Sequence, residues 1–442
     1  TEKFSRKKHL LDSNYKAIRL GYDYAKGNFD CPLPIRLQRM DANEDYILID
    51  GNTAAALGCV YAGATVGAWY PITPATSLME QFNAFCHKYR IDKATGKKKF
   101  CIIQAEDELA AAGMVVGAGW MGARAFTPTA GPGISLMSEF VGLAYYAEVP
   151  AVFFNVQRTG PSTGMPTRTQ QADILSMAYL SHGDTKHIML FPANPEECFY
   201  MARDAFDLAE YWQTPVFVVS DLDIGMNDWM CRRLQWDDNY RPNRGKVLGK
   251  EDVARIERFY RYLADNGDGV AARSLPGVDP KLSYFTRGSG HNKFGGYTED
   301  SAEYREVVDR LARKLAAAAE AVPAPEIIRH EGAEVGVITL GSCRGAVLEG
   351  LDRLKERGQV FDFMRIRGFP FGKAVQEFVA EHERCIVIEQ NRDGQLRSLL
   401  ILETGIEPSR LLSVRDYGGL PLGTNRVMAG IQEQLQVGGV TV

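Results

Sequence analysis

The sequence predicts an α/β protein with largely parallel sheets, and three observations point there. From about Tyr46 onward, strand-like and helix-like stretches alternate, the pattern of a parallel sheet with crossover helices. Two strands, Ala151 to Val156 (AVFFNV) and Pro215 to Ser220 (PVFVVS), are almost wholly apolar, as in a sheet covered on both faces. After Val335 the alternation begins again with VGVITLG, FDFMRIR, CIVIEQ and LLSVRD. A chain of 442 residues has room for two or three domains and a proper core.

In chain order, Gly51 to Ala64 is Ala-rich and helical, and Trp69–Tyr70 leads into the turn PITP. Phe100 to Ala105 (FCIIQA) reads as a buried strand, followed by a helix from about Asp107 to Met121 crowded with Ala and Gly. Each Gly in a helix interior costs about 1 kcal/mol, so close backbone packing, or a flat ligand lying against it, must compensate. Arg124 to Thr129 is a further strand, and the turn TAGPG opens a helix through about Tyr146. Asn227 to about Pro325 breaks the rhythm. It is polar, with helical runs around Glu251 to Ala264 and Ser301 to Ala321, and reads as an insertion or long linker ending in AAAAEAVPAPE. The second unit carries helices from about Gly345, Gly372 to Glu381 and Gln395 to Leu402. The expected division is residues 1–41, 42–228, 229–328 and 329–442.

Composition excludes several classes. The chain is 45% hydrophobic and 24% charged with a net charge of −4, so no field favours nucleic acid or a membrane surface. The basic run Lys3 to His9 reads as a solvated face. Gly51 to Met79 is uncharged but broken by Asn52, Pro71 and Pro74, and Arg124 interrupts the stretch from Leu109 before it reaches the about 20 residues a membrane span needs. The first residues have no signal-like apolar core, and the chain starts at Thr1 rather than Met, as a piece of a longer polypeptide would. The eight cysteines form no CxxC, and none lie closer than Cys86 and Cys101. They read as free buried thiols in a reducing cytoplasm rather than as cluster or zinc ligands. The histidines form no HxxxH or HxH pair, so no metal site is expected.

Three blocks carry candidate chemistry. In YPITP, Thr73 is held between two prolines on a stiff turn. Its hydroxyl is placed either for a ligand or in a turn where Thr76–Ser77 cap the next helix. Glu106, Asp107 and Glu108 compete at a strand-to-helix junction. One of them enters an apolar helix as a functional acid, or all are satisfied as anions at a helix N-terminus. Arg158 follows AVFFNVQ at a strand's carboxyl end, where open α/β sheets bind ligands. Its guanidinium can grip a carboxylate bidentately, unless a structural ion pair uses it. Behind it TGPSTGMPT, with Ser162 and Thr163, reads as a flexible hydroxyl-rich loop able to close over a substrate. TAGPG can cradle an anion on backbone N–H groups. The GDG at Gly267–Asp268–Gly269 opens like a diphosphate–magnesium motif, but it follows the charged, helical RIERFYRYLAD rather than an apolar strand. Gly267 then reads as a helix-ending glycine.

YPITP, QAEDE…GAR…TAGPG and NVQRTGPSTGMPT resemble, in order, domain I of the α subunit of a 2-oxoacid:ferredoxin oxidoreductase, most like the 2-oxoglutarate type. TRGSGH (Thr286 to His291) and EQNRDGQL (Glu389 to Leu396) are similar to its insertion and second domain, and the first 41 residues to the tail of a γ-like domain and its linker. The resemblance implies a thiamine-diphosphate-binding-type doubly wound domain plus a transketolase C-terminal-like α/β domain. It also implies a cytoplasmic αβ dimer of dimers, a heterotetramer. This would convert 2-oxoglutarate and coenzyme A to succinyl-CoA and CO2, with electrons going to ferredoxin. Thiamine diphosphate would be shared with the β subunit, which brings the Mg2+ and the 4Fe–4S cluster. By position, Pro71, Ile72 and Glu108 would face the cofactor, Glu108 bonding its pyrimidine ring. Thr73 and Arg158 would hold the 2-oxoacid carboxylate, with Ser162 and Thr163 beside it. Arg344, Arg287, Lys293 or a β-subunit residue would take the distal carboxylate, Arg344 being the choice made here. Pyruvate or branched-chain 2-oxoacid oxidation, a non-catalytic scaffold subunit, and a self-contained transketolase-like enzyme are the alternatives.

Overall fold

The computed structural model describes residue 7, residues 9–264 and residues 267–438. Most of the basic run from Lys3, and Asn266 of the NGDG stretch, lie outside the described residues. The chain divides into two units, residues 1–45 and 46–442. The first holds helix α1 (His9–Asn28), which has no buried residue.

The second unit carries the fold. Its elements begin β1 (Tyr46–Ile49), α2 (Gly51–Tyr61), β2 (Val66–Trp69), α3 (Thr76–Tyr89), β3 (Cys101–Gln104), α4 (Glu108–Trp120), β4 (Ala125–Thr129), α5 (Gly131–Tyr146) and β5 (Ala151–Gln157). Next come α6 (Ile174–Ala178), β6 (Ile188–Leu190), α7 (Pro195–Trp212), β7 (Pro215–Asp221), α8 (Leu222–Met226), β8 (Trp229–Arg232), β9 (Val247–Leu248), β10 (Arg273–Ser274) and α9 (Ser301–Ala318). The chain ends with β11 (Glu326–Ile328), β12 (Val335–Leu340), α10 (Arg344–Lys355), β13 (Asp362–Ile366), β14 (Gly368–Phe369), α11 (Lys373–Glu381), β15 (Arg384–Glu389), α12 (Gln395–Thr404), β16 (Leu411–Arg415) and α13 (Thr424–Gly438).

Two sheets result. The larger has the order β14-β6-β7-β5-β4-β2-β3 and the smaller β11-β13-β12-β15-β16. All pairs in them are parallel except β14 with β6 and β11 with β13. The expected two parallel α/β sheets are therefore present. Residues of β5 alternate between two cores: Ala151 and Phe153 join one, Val152 and Phe154 the other. That is why AVFFNV is apolar throughout: both faces are covered. The first core continues into Ile338, Leu340, Met364 and Val387 of the smaller sheet, so one apolar layer is shared between the sheets. A third core covers the smaller sheet's other face through Val337, Phe363 and Ile386.

Several expectations are corrected. FCIIQA is not a buried strand: β3 is the sheet's edge, paired only with β2, and Cys101, Ile103 and Gln104 are exposed. Two thiols, Cys31 and Cys101, are exposed, while the other six are buried, and all eight are free. The run Glu251 to Ala264 is not an α-helix. It holds only a 3-10 turn over Lys250–Arg255, and Gly267 ends no helix. Burial of Tyr262 against His291, with ring centroids 4.1 Å apart, overrides the local helical pattern there. Asp268 is held by Lys246 at 2.8 Å. No side chain caps α3, and neither Thr76 nor Ser77 does so. Ser77 instead accepts a hydrogen bond from buried Asn52.

The insertion is not a loose linker either. Arg124 bonds Asp207 at 2.5 Å and Glu210 at 2.7 Å, and Arg273 reaches Glu210 from the insertion at 3.1 Å. From α9, Arg310 and Lys314 close on Glu148 at 2.6 and 2.8 Å, all three buried. Of TRGSGH, His291 is buried, lodged between Tyr262 and Tyr146 of α5. Among the described residues no helix is long and apolar enough to cross a membrane.

Burial pushes the Glu148 carboxyl up, but Lys314 and Arg310 hold it well below the usual carboxylate range. A depressed folded-state value means that its stabilisation is present above the ordinary carboxylate pKa and is lost only as pH falls through the folded value. Glu148→Gln at neutral pH strands two buried cations, and should cost about 3–5 kcal/mol, read as a lowered urea midpoint.

Candidate functional site

The carboxyl ends of strands from both sheets converge on one residue, Gln171, which is fully buried. Its Nε2 donates to Leu340 O at 3.3 Å, the last residue of β12, and to Asp221 Oδ2 at 3.4 Å, the last residue of β7. Its Oε1 accepts from Gln390 N, just beyond β15, at 3.3 Å. Its backbone N–H donates to Gln390 O at 2.9 Å, and its carbonyl accepts from Asn391 Nδ2 at 2.9 Å. Gly341 permits this approach, because a Cβ there would lie 2.9 Å from Gln171 Nε2.

Beside this joint is a cavity of about 540 Å3. One wall comes from the first sheet's strand ends and holds Gly131, Pro132, Arg158, Ser162 and Asp173; the other comes from the second sheet and holds Asn391, Arg392, Gln395 and Tyr417. Crevices at strand carboxyl ends are where open α/β sheets bind ligands.

The three competing acids resolve cleanly. Asp107 is exposed and caps α4, accepting from Ala110 N at 2.6 Å, and Glu106 is exposed. Glu108 turns inward and is only 6% exposed. Among the described residues its carboxylate has no hydrogen-bond or ion-pair partner. It packs on the first turn of α5, where a Cβ on Gly133 would sit 2.8 Å from Glu108 Cγ and collide with Thr129 Oγ1. Glu108 is not among the residues lining the cavity, but an inward carboxylate with no protein partner, set against a glycine, fits a ligand group that donates a hydrogen bond to it.

Arg158, 8% exposed, extends from the end of β5 and donates from one terminal nitrogen to the Thr73 carbonyl at 2.7 Å, while its Nε is buried without a partner. The structure thus joins Thr73 and Arg158, through the backbone of Thr73 rather than its hydroxyl. Pro71 and Thr73 are exposed and Ile72 is half-buried. Ser162 lines the cavity at φ +57°, and Thr163 is exposed outside the lining. Their loop is tied down: Met165 N donates to Thr159 O, Gly160 N to Gln170 Oε1, and Thr169 N to Gly419 O.

Arg344 is not brought to the cavity. Its guanidinium is occupied by Glu326 at 2.5 and 2.8 Å, an acid that Arg365 also holds at 2.7 Å. Lys293 pairs with Glu306, and Arg287 donates to Gly295 O. The residues that the sequence reading missed are Asp173 and the second wall, Asn391, Arg392 and Tyr417. Asn391 and Arg392 lie inside EQNRDGQL, and Asp173 stands six residues beyond the end of NVQRTGPSTGMPT. Their signal was present, but nothing in the linear pattern shows two sheets sharing one crevice.

Residues 57–231 match the family model for the thiamine diphosphate-binding region of pyruvate flavodoxin/ferredoxin oxidoreductases. The α subunit of 2-oxoacid:ferredoxin oxidoreductase 2 from Aeropyrum pernix is 34% identical over 98% of this chain and 68% of its own length. The 2-oxoglutarate synthase subunit KorA of Methanothermobacter thermautotrophicus is 33% identical over 84% of this chain and 94% of its own. The chain belongs to the family of 2-oxoacid:ferredoxin oxidoreductase α subunits. A solved 2-oxoglutarate:ferredoxin oxidoreductase from Magnetococcus marinus, with 2-oxoglutarate, coenzyme A and succinyl-CoA bound, superposes with a TM-score of 0.85 at 29% identity, over 98% of this chain and 73% of that one. Other α-subunit relatives are longer, and the chain spans 64% of the one from Saccharolobus solfataricus.

In this α subunit, the glycines of α4 and α5 fall into two kinds. Gly133→Ala forces Thr129 and Glu108 apart and should destabilise by about 1–3 kcal/mol. Gly117, with nothing near a Cβ, should gain up to about 1 kcal/mol as Ala. Urea unfolding of the two variants checks the opposite signs.

Proposed function

We propose that this chain is the α subunit of a 2-oxoglutarate:ferredoxin oxidoreductase. The complex oxidatively decarboxylates 2-oxoglutarate with coenzyme A, giving succinyl-CoA, CO2, a proton and two electrons that pass to two ferredoxins. The inward, unpartnered Glu108 carries the reading, with Arg158 buried nearby on Thr73. The KorA relatives and the ligands named for the Magnetococcus marinus enzyme support the choice of substrate.

Thiamine diphosphate, when bound, supplies the electron sink for loss of CO2. Glu108, with Pro71 and Ile72 on the neighbouring turn, would hold its pyrimidine side, where the carboxylate would take and return a proton. Arg158, kept in place by the Thr73 carbonyl, receives the 2-oxoacid carboxylate, and Ser162 faces the same space. Arg392, paired with Asp393, is the second arginine of the lining. A β subunit completes the site with Mg2+ and a 4Fe–4S cluster, in a dimer of αβ dimers. The free thiols are consistent with a cytoplasmic setting. Relatives named only for 2-oxoacids keep pyruvate and branched-chain substrates as the second reading.

Anaerobic turnover of the complex with its β partner tests this, using 2-oxoglutarate, pyruvate and a branched-chain 2-oxoacid. Activity that needs the partner, coenzyme A and thiamine diphosphate, and is highest on 2-oxoglutarate, is the expected result; preference for pyruvate overturns the substrate choice. Glu108→Gln should lower kcat by about a hundredfold or more with the fold intact, whereas Glu106→Gln should stay near wild type. Arg158→Ala should lower kcat/KM about ten- to a hundredfold, raising KM and lowering kcat; an unchanged kcat/KM would remove Arg158 from the site.

A further inference from the structure

Asp173 stands immediately before the short helix α6, where an aspartate ordinarily turns its carboxylate onto free helix N–H groups. It makes no such bond. Its carboxylate accepts from Asn155 Nδ2 at 2.9 Å and lies against the first turn of α5, where a Cβ on Gly131 would be 3.0 Å from each oxygen. Asp173 and Arg158 line the same cavity. Arg158 nevertheless spends its hydrogen bond on the Thr73 carbonyl and leaves its Nε without a partner. Two opposite charges thus share one wall of the cavity without forming a pair.

We propose that Asp173 is a positioning residue that sets, through its charge state, how much of the Arg158 charge an anionic substrate meets. The proposal rests on the reading of this cavity as the 2-oxoacid site. With Asp173 ionised, the wall is close to neutral, and an incoming carboxylate meets a second negative charge in a low-dielectric setting. With Asp173 protonated, Arg158 faces the substrate with its full charge. Burial pushes the carboxyl above the ordinary carboxylate range, while the Asn155 bond and the field of Arg158 pull it back. The N-terminus of α5 also favours the anion. On the opposite wall Arg392 and Asp393 face the space as a pair at 2.7 Å. Anion binding and protonation of Asp173 therefore favour each other, so affinity falls as pH rises through the Asp173 pKa.

The test uses the assembled complex with its β partner, as wild type, Asp173→Asn and Asp173→Ser. Oxalate, which carries the carboxylate head of a 2-oxoacid and is a dianion throughout, is titrated calorimetrically from about pH 5 to about pH 8. The KM and kcat for 2-oxoglutarate are measured in parallel. The wild-type Kd and KM should rise by up to about tenfold per pH unit, the limit for one linked proton. Both variants should bind as tightly at high pH as wild type does at low pH, with a flat profile and kcat less affected than KM. A variant that keeps the wild-type pH dependence overturns the role of Asp173 even where turnover proceeds as proposed. If the wild-type complex oxidises no 2-oxoacid, the functional reading fails, and the oxalate profiles alone decide on Asp173. Absence of oxalate binding by wild type at every pH overturns both.

Discussion

Every polar group of Gln171 is committed to joining the two sheets: side-chain amide, side-chain carbonyl, backbone N–H and backbone carbonyl. A buried amide side chain with this many partners is costly to disturb, since any group left unpaired carries its full desolvation penalty. The joint therefore holds the ends of β7, β12 and β15 in one fixed arrangement. The cavity exists because of it, with one wall from each sheet. The shared apolar core beneath supplies adhesion without direction, and Gln171 with Gln390 and Asn391 supplies the register.

Buried charge is used in two different ways. Glu148 with Arg310 and Lys314, and Arg124 with Asp207 and Glu210, are fully paired and fasten the insertion to the first sheet. Such clusters contribute little net stability compared with apolar packing, yet they cannot be broken one partner at a time without heavy loss. Around the first turn of α5 the pattern reverses. Glu108 and Arg158 are buried and Asp173 half-buried, none of them in an ion pair, and Gly133 and Gly131 leave room for the two acids. Unpaired buried charge persists where the binding of something else repays it, which is the physical signature of a site.

Much of this was legible in the linear chain. The all-apolar β5 and β7 announced a sheet covered on both faces, and Arg158 at the end of β5 announced the crevice. Glu108 was visible as one of three acids, but only tertiary geometry separates it from Asp107, which caps, and Glu106, which is solvated. The helical pattern of Glu251 to Ala264 misled because burial of Tyr262 and Arg261 counts for more than local propensity. Arg344 misled because a cation at the start of a helix after a strand looks like a ligand group until Glu326 is found beside it. Asp173 stands outside the three blocks, and nothing in the sequence shows its carboxylate turning to Asn155.

The two-walled cavity also constrains how it can discriminate. Arg158 directly follows the central strand β5 and is held by the backbone of the YPITP turn, so on the proposed reading the subsite for the carboxylate head is rigid. The loop that follows is fastened at Thr159–Met165, at Gly160–Gln170 and at Thr169–Gly419, the last bond reaching the segment after β16. Only its tip, around Ser162 to Gly164, is left without such ties. The opposite wall, with Arg392 and Tyr417, belongs to the second sheet and lies outside the stretch that matches the thiamine-binding family model. On the proposed reading, the head of the substrate is read by residues common to the chemistry, and its tail by a wall that can vary without touching them. On that reading Arg392, paired with Asp393 on the exposed side of that wall, would take an anionic tail by exchanging partners.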